Sequence, residues 1–349
     1  MLATLVAACL LLSLTAYVVL GGADFGGGVW DLLAGGPRRR AQRALIADAI
    51  GPIWEANHVW LILVVVLLFT CFPGVFARLA IVLHIPLTLM LIGVVLRGSA
   101  FTFRTYDSQR DAVQRRWGTA FAIASVITPV LLGMCVGAIA SGAVGRAPLG
   151  AGPWAQYVAP WLTPFAFCIG LLTLALFAFL AATYLTLEGD DRALCEDFRR
   201  RALAAAAAVF VTALVALLLA RRDAPQIGVG LTETPLALAV QLATGVAAVT
   251  AIVALWVRRY RVARIAAAAQ ASLILWGWAA AQYPFIVPPT QTIEDAAAPA
   301  VTLRLTLIGL AGGAVVLVPS LWYLFHVFKG EGTAFQRLGD GHGGEGAEH

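Results

Sequence analysis

Apolar residues run in stretches of about twenty, the length an α-helix needs to cross roughly 30 Å of hydrocarbon, and short basic turns separate them. Nine such stretches predict membrane helices at about 2–33, 53–72, 79–96, 117–140, 161–186, 202–220, 236–257, 262–282 and 303–327. The first is long enough to run past the hydrocarbon into the interface. The third is the shortest, and Pro73-Gly74 turns the chain between it and the second. The predicted fold is therefore all-α: a polytopic membrane domain over 1–338, followed from Gly339 by a polar, glycine-rich tail expected to be disordered.

The basic residues then orient the stack. Short segments at 38–43, 97–116, 192–201, 258–264 and 329–337 hold 19 of the 24 Lys and Arg, and all five follow odd-numbered helices. Arg78, Arg146, Arg221, Arg222 and Arg304 fall on the opposite side. Since Lys and Arg in short loops stay in the cytoplasm, the N-terminus is expected outside, the C-terminus inside, and the number of crossings odd. Trp54, Trp117, Trp154, Trp161, Trp256 and Trp322 lie near predicted helix ends, where amphipathic rings favour the headgroup layer.

Composition agrees: 60% of residues are hydrophobic and 12% charged, about half the charge of a soluble domain. The net charge of +5 comes from these turns and not from a basic stripe on one element, so no nucleic-acid partner is expected. Five scattered cysteines with no C-x-x-C spacing indicate neither a disulfide framework nor a zinc site. The apolar start lacks a basic flank and a following polar domain, so it is read as the first membrane helix rather than a signal peptide.

Ionisable side chains within or at the ends of membrane helices are costly and point to function. Here they gather toward one side. Asp24 sits roughly 33 Å along the first helix at 1.5 Å per residue, and Asp31 follows two turns later on the same face. Glu55 and His58 lie in IGPIWEANHVW (50–60), which opens the second helix with Pro52 in its first turn, and their i, i+3 spacing lets them face the same way. Arg97 is expected to end the third helix on that side. A carboxylate, an imidazole and a fixed cation at a bundle's mouth are what proton entry needs. Each also has a plainer role: Glu55 complements a helix dipole, Arg97 marks topology, and Asp24 caps or pairs. Spacing alone leaves both open. His84 and His326 are the other helix histidines; they fall at different depths, so no haem held between them, and no metal, is expected in this chain. The Gly26-Gly27-Gly28 run suits close helix approach and is no nucleotide loop.

GADFGGGVWDLL (22–33), IGPIWEANHVWLI (50–62), FPGVFA (72–77), LRG (96–98), YPFIVPP (283–289) and TIEDAAAP (292–299) resemble, in order, the motifs of subunit II of cytochrome bd and cyanide-insensitive quinol oxidases. The resemblance spans nearly the whole chain. It implies two four-helix bundles plus one peripheral helix, and a homologous-fold subunit I that carries haems b and d, oxidises quinol and reduces dioxygen to water in a bacterial inner membrane. Membrane lipid and quinone are the further partners expected, and the sequence leaves open which quinone is used, whether a quinone or lipid is bound in this chain and whether a small single-helix accessory subunit joins. It assigns Glu55 to a cytoplasmic proton pathway, with Asp24 and Arg97 at matching motif positions and Trp54, Asn57 and Trp60 completing the Glu55 motif. Three positions depart from the pattern: Glu55 replaces the usual Asp, Thr102 stands where some members have an aspartate on the proton route, and His58 stands where Gln or Glu is common. A secondary transporter would instead place polar residues near the midplane, and a scaffold subunit would use Glu55 and Asp24 for assembly.

Overall fold

The structure, a computed structural model, describes residues 1–51, 54–106, 111–189, 191–232 and 235–329. Pro52 and the tail from Gly339 thus lie outside the described residues. Two compact units are present, Met1–Ala298 and Pro299–His349.

The first unit begins with α1 (Leu2–Ala16), a π-turn (Tyr17–Gly21) and α2 (Gly22–Leu32), one continuous apolar span. The helix α3 (Arg39–Ile50) lies outside any span and leads to α4 (Trp54–Cys71), α5 (Pro73–Val82) and α6 (His84–Tyr106). Next come α7 (Asp111–Ala140), the short α8 (Ala143–Arg146) and α9 (Pro153–Tyr157), then α10 (Pro164–Leu185) and α11 (Arg192–Asp223). After α12 (Pro225–Thr232), α13 (Pro235–Trp256) and α14 (Tyr260–Gln282), the unit ends in a two-stranded antiparallel ladder of β1 (Phe285–Val287) and β2 (Gln291–Thr292). The second unit contains α15 (Ala300–Lys329), on which Val301, Leu305, Ile308 and Val315 are exposed.

Among the described residues nine helices are long and apolar enough to cross a membrane, as expected. The largest difference in bounds is at the third crossing. It was expected at 79–96, but Pro73 opens a separate helix that stops at Leu83, and the crossing helix runs from His84 to Tyr106. Proline supplies the right φ for a first helical turn and needs no N–H partner there, so Pro73 restarts the helix where a plain turn was expected. The sixth helix also starts earlier than predicted, at Arg192, because Asp191 caps it by accepting from Ala193 N at 2.8 Å. α10 begins in the same way, with Thr163 accepting from Ala166 N at 3.1 Å and Pro164 in the first turn.

Lipid tails give helices no hydrophobic reason to associate, so contact depends on close packing of small residues. That is how α2 meets α10: a Cβ on Gly26 would lie 1.9 Å from the carbonyl oxygen of Phe177. α7 and α10 do the same, with a Cβ on Gly133 coming within 2.7 Å of Gly170 Cα. The buried centre around these contacts includes Phe25, Trp30, Phe177, Phe179, Leu180, Phe198 and Ala267. Gly26→Ala therefore forces α2 away from α10 and is expected to cost about 1–3 kcal/mol, read as a lowered unfolding temperature of the purified complex; an unchanged midpoint would contradict this packing.

Candidate functional site

The site is built where α2, α4, α6 and α7 meet. The π-turn ends one residue before α2, with Gly22 N bonding Tyr17 O, and the Tyr184 hydroxyl of α10 donates to Val19 O at 3.3 Å. Such turns widen a helix locally and free a carbonyl for an outside donor. Asp24 follows in the first turn of α2 and is 3% exposed. Asn57 of α4, also buried, donates from Nδ2 to Asp24 Oδ2 at 2.8 Å.

Arg97 comes from the middle of α6 and is 1% exposed. This corrects the expectation that it ends a helix among topological arginines: α6 continues well past it. Its guanidinium lies between two ring faces, 4.7 Å from the centroid of Phe25 and 5.2 Å from that of Phe121, and interacts electrostatically with Asp24. A desolvated cation costs several kcal/mol unless opposed; a carboxylate and two aromatic faces are the groups that can oppose it. Arg97 Nε and Nη2 have no hydrogen-bond partner among the described protein atoms.

His58 packs beside this pair. Its ring stacks on Phe25 at 5.8 Å and meets Tyr17 at 5.9 Å and Trp54 at 6.1 Å. Both ring nitrogens are buried without a hydrogen-bond partner among the described residues. Glu55, in the first turn of α4, is exposed instead. So the structure brings Asp24, Asn57, His58 and Arg97 together and leaves Glu55 at the surface end of the same helix. The shared face predicted for Glu55 and His58 does not join them by a hydrogen bond; the direct partner of Asp24 is Asn57. Trp54 and Trp60 are half-buried against the core. Thr102 is exposed and turns its hydroxyl back to Gly98 O at 3.1 Å.

Asp31 forms a second pair on the first span. It is 1% exposed, Arg43 Nε lies 3.7 Å from Asp31 Oδ1, and Arg43 also donates to Asp31 O at 3.1 and 3.2 Å. His84 is exposed at the start of α6, its Nδ1 3.0 Å from Ile81 O and its ring edge-on to Tyr157. The side chain of His326 lies outside the described residues. Among the described residues no three His, Cys, Asp or Glu side chains gather to hold a metal ion.

Sequence reasoning missed Tyr17, Phe25 and Phe121, which wall the buried cluster. Inside an apolar run an aromatic residue carries no mark of its neighbours, and only the contact of four helices distant in sequence reveals them.

The family described as cytochrome bd terminal oxidase subunit II matches residues 2–328. Over 118 residues the chain is 31% identical to "Cytochrome bd ubiquinol oxidase subunit 2" of Bacillus subtilis, a match covering 34% of each protein. It is 24% identical over 180 residues to "Cytochrome bd-I ubiquinol oxidase subunit 2" of Escherichia coli, 50% of this chain and 46% of that one. These matched stretches span between about a third and a half of the relatives' length. In fold, the chain resembles one in the structure of bd oxidase from Geobacillus thermodenitrificans, with a TM-score of 0.76 and 21% identity over 94% of this chain and 98% of that one.

Proposed function

Because this chain belongs to the cytochrome bd terminal oxidase subunit II family, we propose that it pairs with a haem-bearing subunit I in a bacterial inner membrane. The complex oxidises quinol and reduces dioxygen to water. This chain holds no haem and delivers protons from the cytoplasm. The observation that carries the proton role is the buried Asp24, hydrogen-bonded by Asn57 and beside the equally buried Arg97. A membrane protein that needed only a scaffold here would be better served by apolar residues of the same volume, since a buried ion pair seldom adds net stability.

Glu55 takes protons at the exposed opening of α4, and the route runs inward past His58 to Asp24. The nitrogens of His58 and Arg97 that lack protein partners are groups that ordered water would satisfy. Arg97 holds Asp24 in place and keeps its charge opposed. Haem supplies oxygen reduction in the partner subunit. His58 fits poorly as a haem ligand in this chain, because Tyr17, Phe25 and Trp54 crowd its ring.

Co-expression with a subunit I should yield a stable heterodimer with haem absorption, while the chain purified alone and folded should show no Soret band. A stoichiometric haem in the isolated chain would remove the haem-free assignment. The orientation follows the positive-inside rule. In a cysteine-free background, Ala151→Cys in an exposed turn should be labelled by an impermeant reagent in intact cells, and Arg40→Cys should not. The reverse pattern would invert the proton entry side.

A further inference from the structure

The turn between α13 and α14 holds a charge arrangement that the proton route does not use. Glu196 of α11 faces three guanidiniums at once. Arg199 Nη2 lies 2.5 Å from Oε1, Arg200 Nε 3.6 Å from Oε1, and Arg258 Nε 3.5 Å from Oε2. One carboxylate cannot neutralise three cations, so the cluster keeps an excess of positive charge. Arg199 is mostly covered, but the side chains of Arg200 and Arg258 are 74% and 63% exposed and stand on either side of Glu196. Arg259 and Arg261, also exposed, add to the field and have no ion-pair partner among the described residues.

The backbone at Arg258 gives an independent reason to look here. Its φ is +60°, the only positive value on a non-glycine residue among those described. It closes α13, with Arg258 N bonding Leu255 O at 3.3 Å and Arg259 N bonding Ala254 O at 2.8 Å. Glycine is the usual residue at such a helix stop because a Cβ is strained there. An arginine held in that conformation suggests that its side chain does something a glycine cannot. At the end of α13 and in the first turns of α14, Trp256, Val257, Val262 and Ile265 expose 69%, 55%, 44% and 72% of their surface. A tryptophan at the end of a membrane helix belongs at headgroup level, so the arginines stand at the depth of lipid phosphates with apolar side chains beneath them.

We propose that this turn is a seat for one anionic phospholipid, its phosphate held against the exposed sides of Arg200 and Arg258 that Glu196 does not cover, and its acyl chains laid along Trp256, Val262 and Ile265. The lipid ties the α13–α14 turn to the start of α11, supplying the negative charge that Glu196 alone does not. Zwitterionic lipid carries a compensating cation into the same cluster and is therefore a poor occupant.

The test uses the heterodimer with subunit I, incorporated in phosphatidylcholine nanodiscs containing a minor share of phosphatidylglycerol and then released into detergent for native mass spectrometry. Wild-type complex should retain phosphatidylglycerol on the order of tenfold above its share in the disc. Arg258→Gly combined with Arg200→Gln should bring retention down to that share. Glycine relieves the backbone at 258, so loss of lipid in this variant cannot be put down to misfolding; an unchanged unfolding midpoint in lipid-free detergent checks it. Arg221→Gln with Arg222→Gln, two exposed arginines elsewhere, should leave retention unchanged. Equal retention in the 200/258 variant, or an equal fall in the 221/222 variant, would overturn the site. Retention of phosphatidylglycerol no greater than its share by wild-type complex that still binds inorganic phosphate would overturn the assignment to a phospholipid.

Discussion

Replacing Glu55 by Gln is expected to lower quinol-driven oxygen uptake by about tenfold or more, with haem content and assembly unchanged. Glu55 is exposed in the first turn of α4, so the amide disturbs no packing. What it removes is a group that exchanges protons with water, and loss of an acid–base group typically costs 10²- to 10⁴-fold where it is rate-limiting. Glu55→Asp restores the acid and should recover much of the rate. Uptake is measured per haem in each purified complex. Full turnover in Glu55→Gln would end its role as the entry residue, and joint loss of haem and activity would favour the scaffold reading.

The second large effect concerns the buried pair. Asp24→Asn keeps the shape and an oxygen that can accept from Asn57, yet removes a negative charge acting on Arg97. An uncompensated buried cation commonly costs 3–5 kcal/mol, so a loss of roughly that size in complex stability is expected, together with a fall in turnover. Adding Arg97→Leu removes the stranded charge and should regain most of the stability while turnover stays low. The cycle thus separates the two roles of Asp24. If the double variant were no more stable than Asp24→Asn alone, the electrostatic coupling assigned to this pair would be wrong. If it were stable and fully active, Asp24 would have only a structural role.

Run length alone made the crossings legible, because a bilayer requires about twenty apolar residues whatever their order. The same criterion misplaced the third crossing. It stopped at Arg97, since a charge ends an apolar run, although α6 carries that arginine inside a bundle where Phe25, Phe121 and Asp24 offset its burial. It also passed over α3, which crosses nothing, and the β1–β2 ladder, whose two strands are too short to stand out. For the site, Asp24, His58 and Arg97 were legible as ionisable groups in apolar surroundings. Their arrangement was not. Helical spacing placed His58 with Glu55, while tertiary packing turned its ring toward Tyr17 and Phe25 and left the contact with Asp24 to Asn57. The π-turn before Asp24, which bends the register of the first span, has no sequence signature that run length detects.

Protons consumed in oxygen reduction are proposed to enter through this chain. Mixing the fully reduced heterodimer with oxygen in weakly buffered solution, while a pH indicator and the haem spectrum are followed together, measures this entry. The wild-type complex should take up protons in step with haem oxidation, and both Glu55→Gln and Asp24→Asn should slow the uptake phase at equal haem content. Proton uptake at the wild-type rate in both variants would show that the protons enter elsewhere.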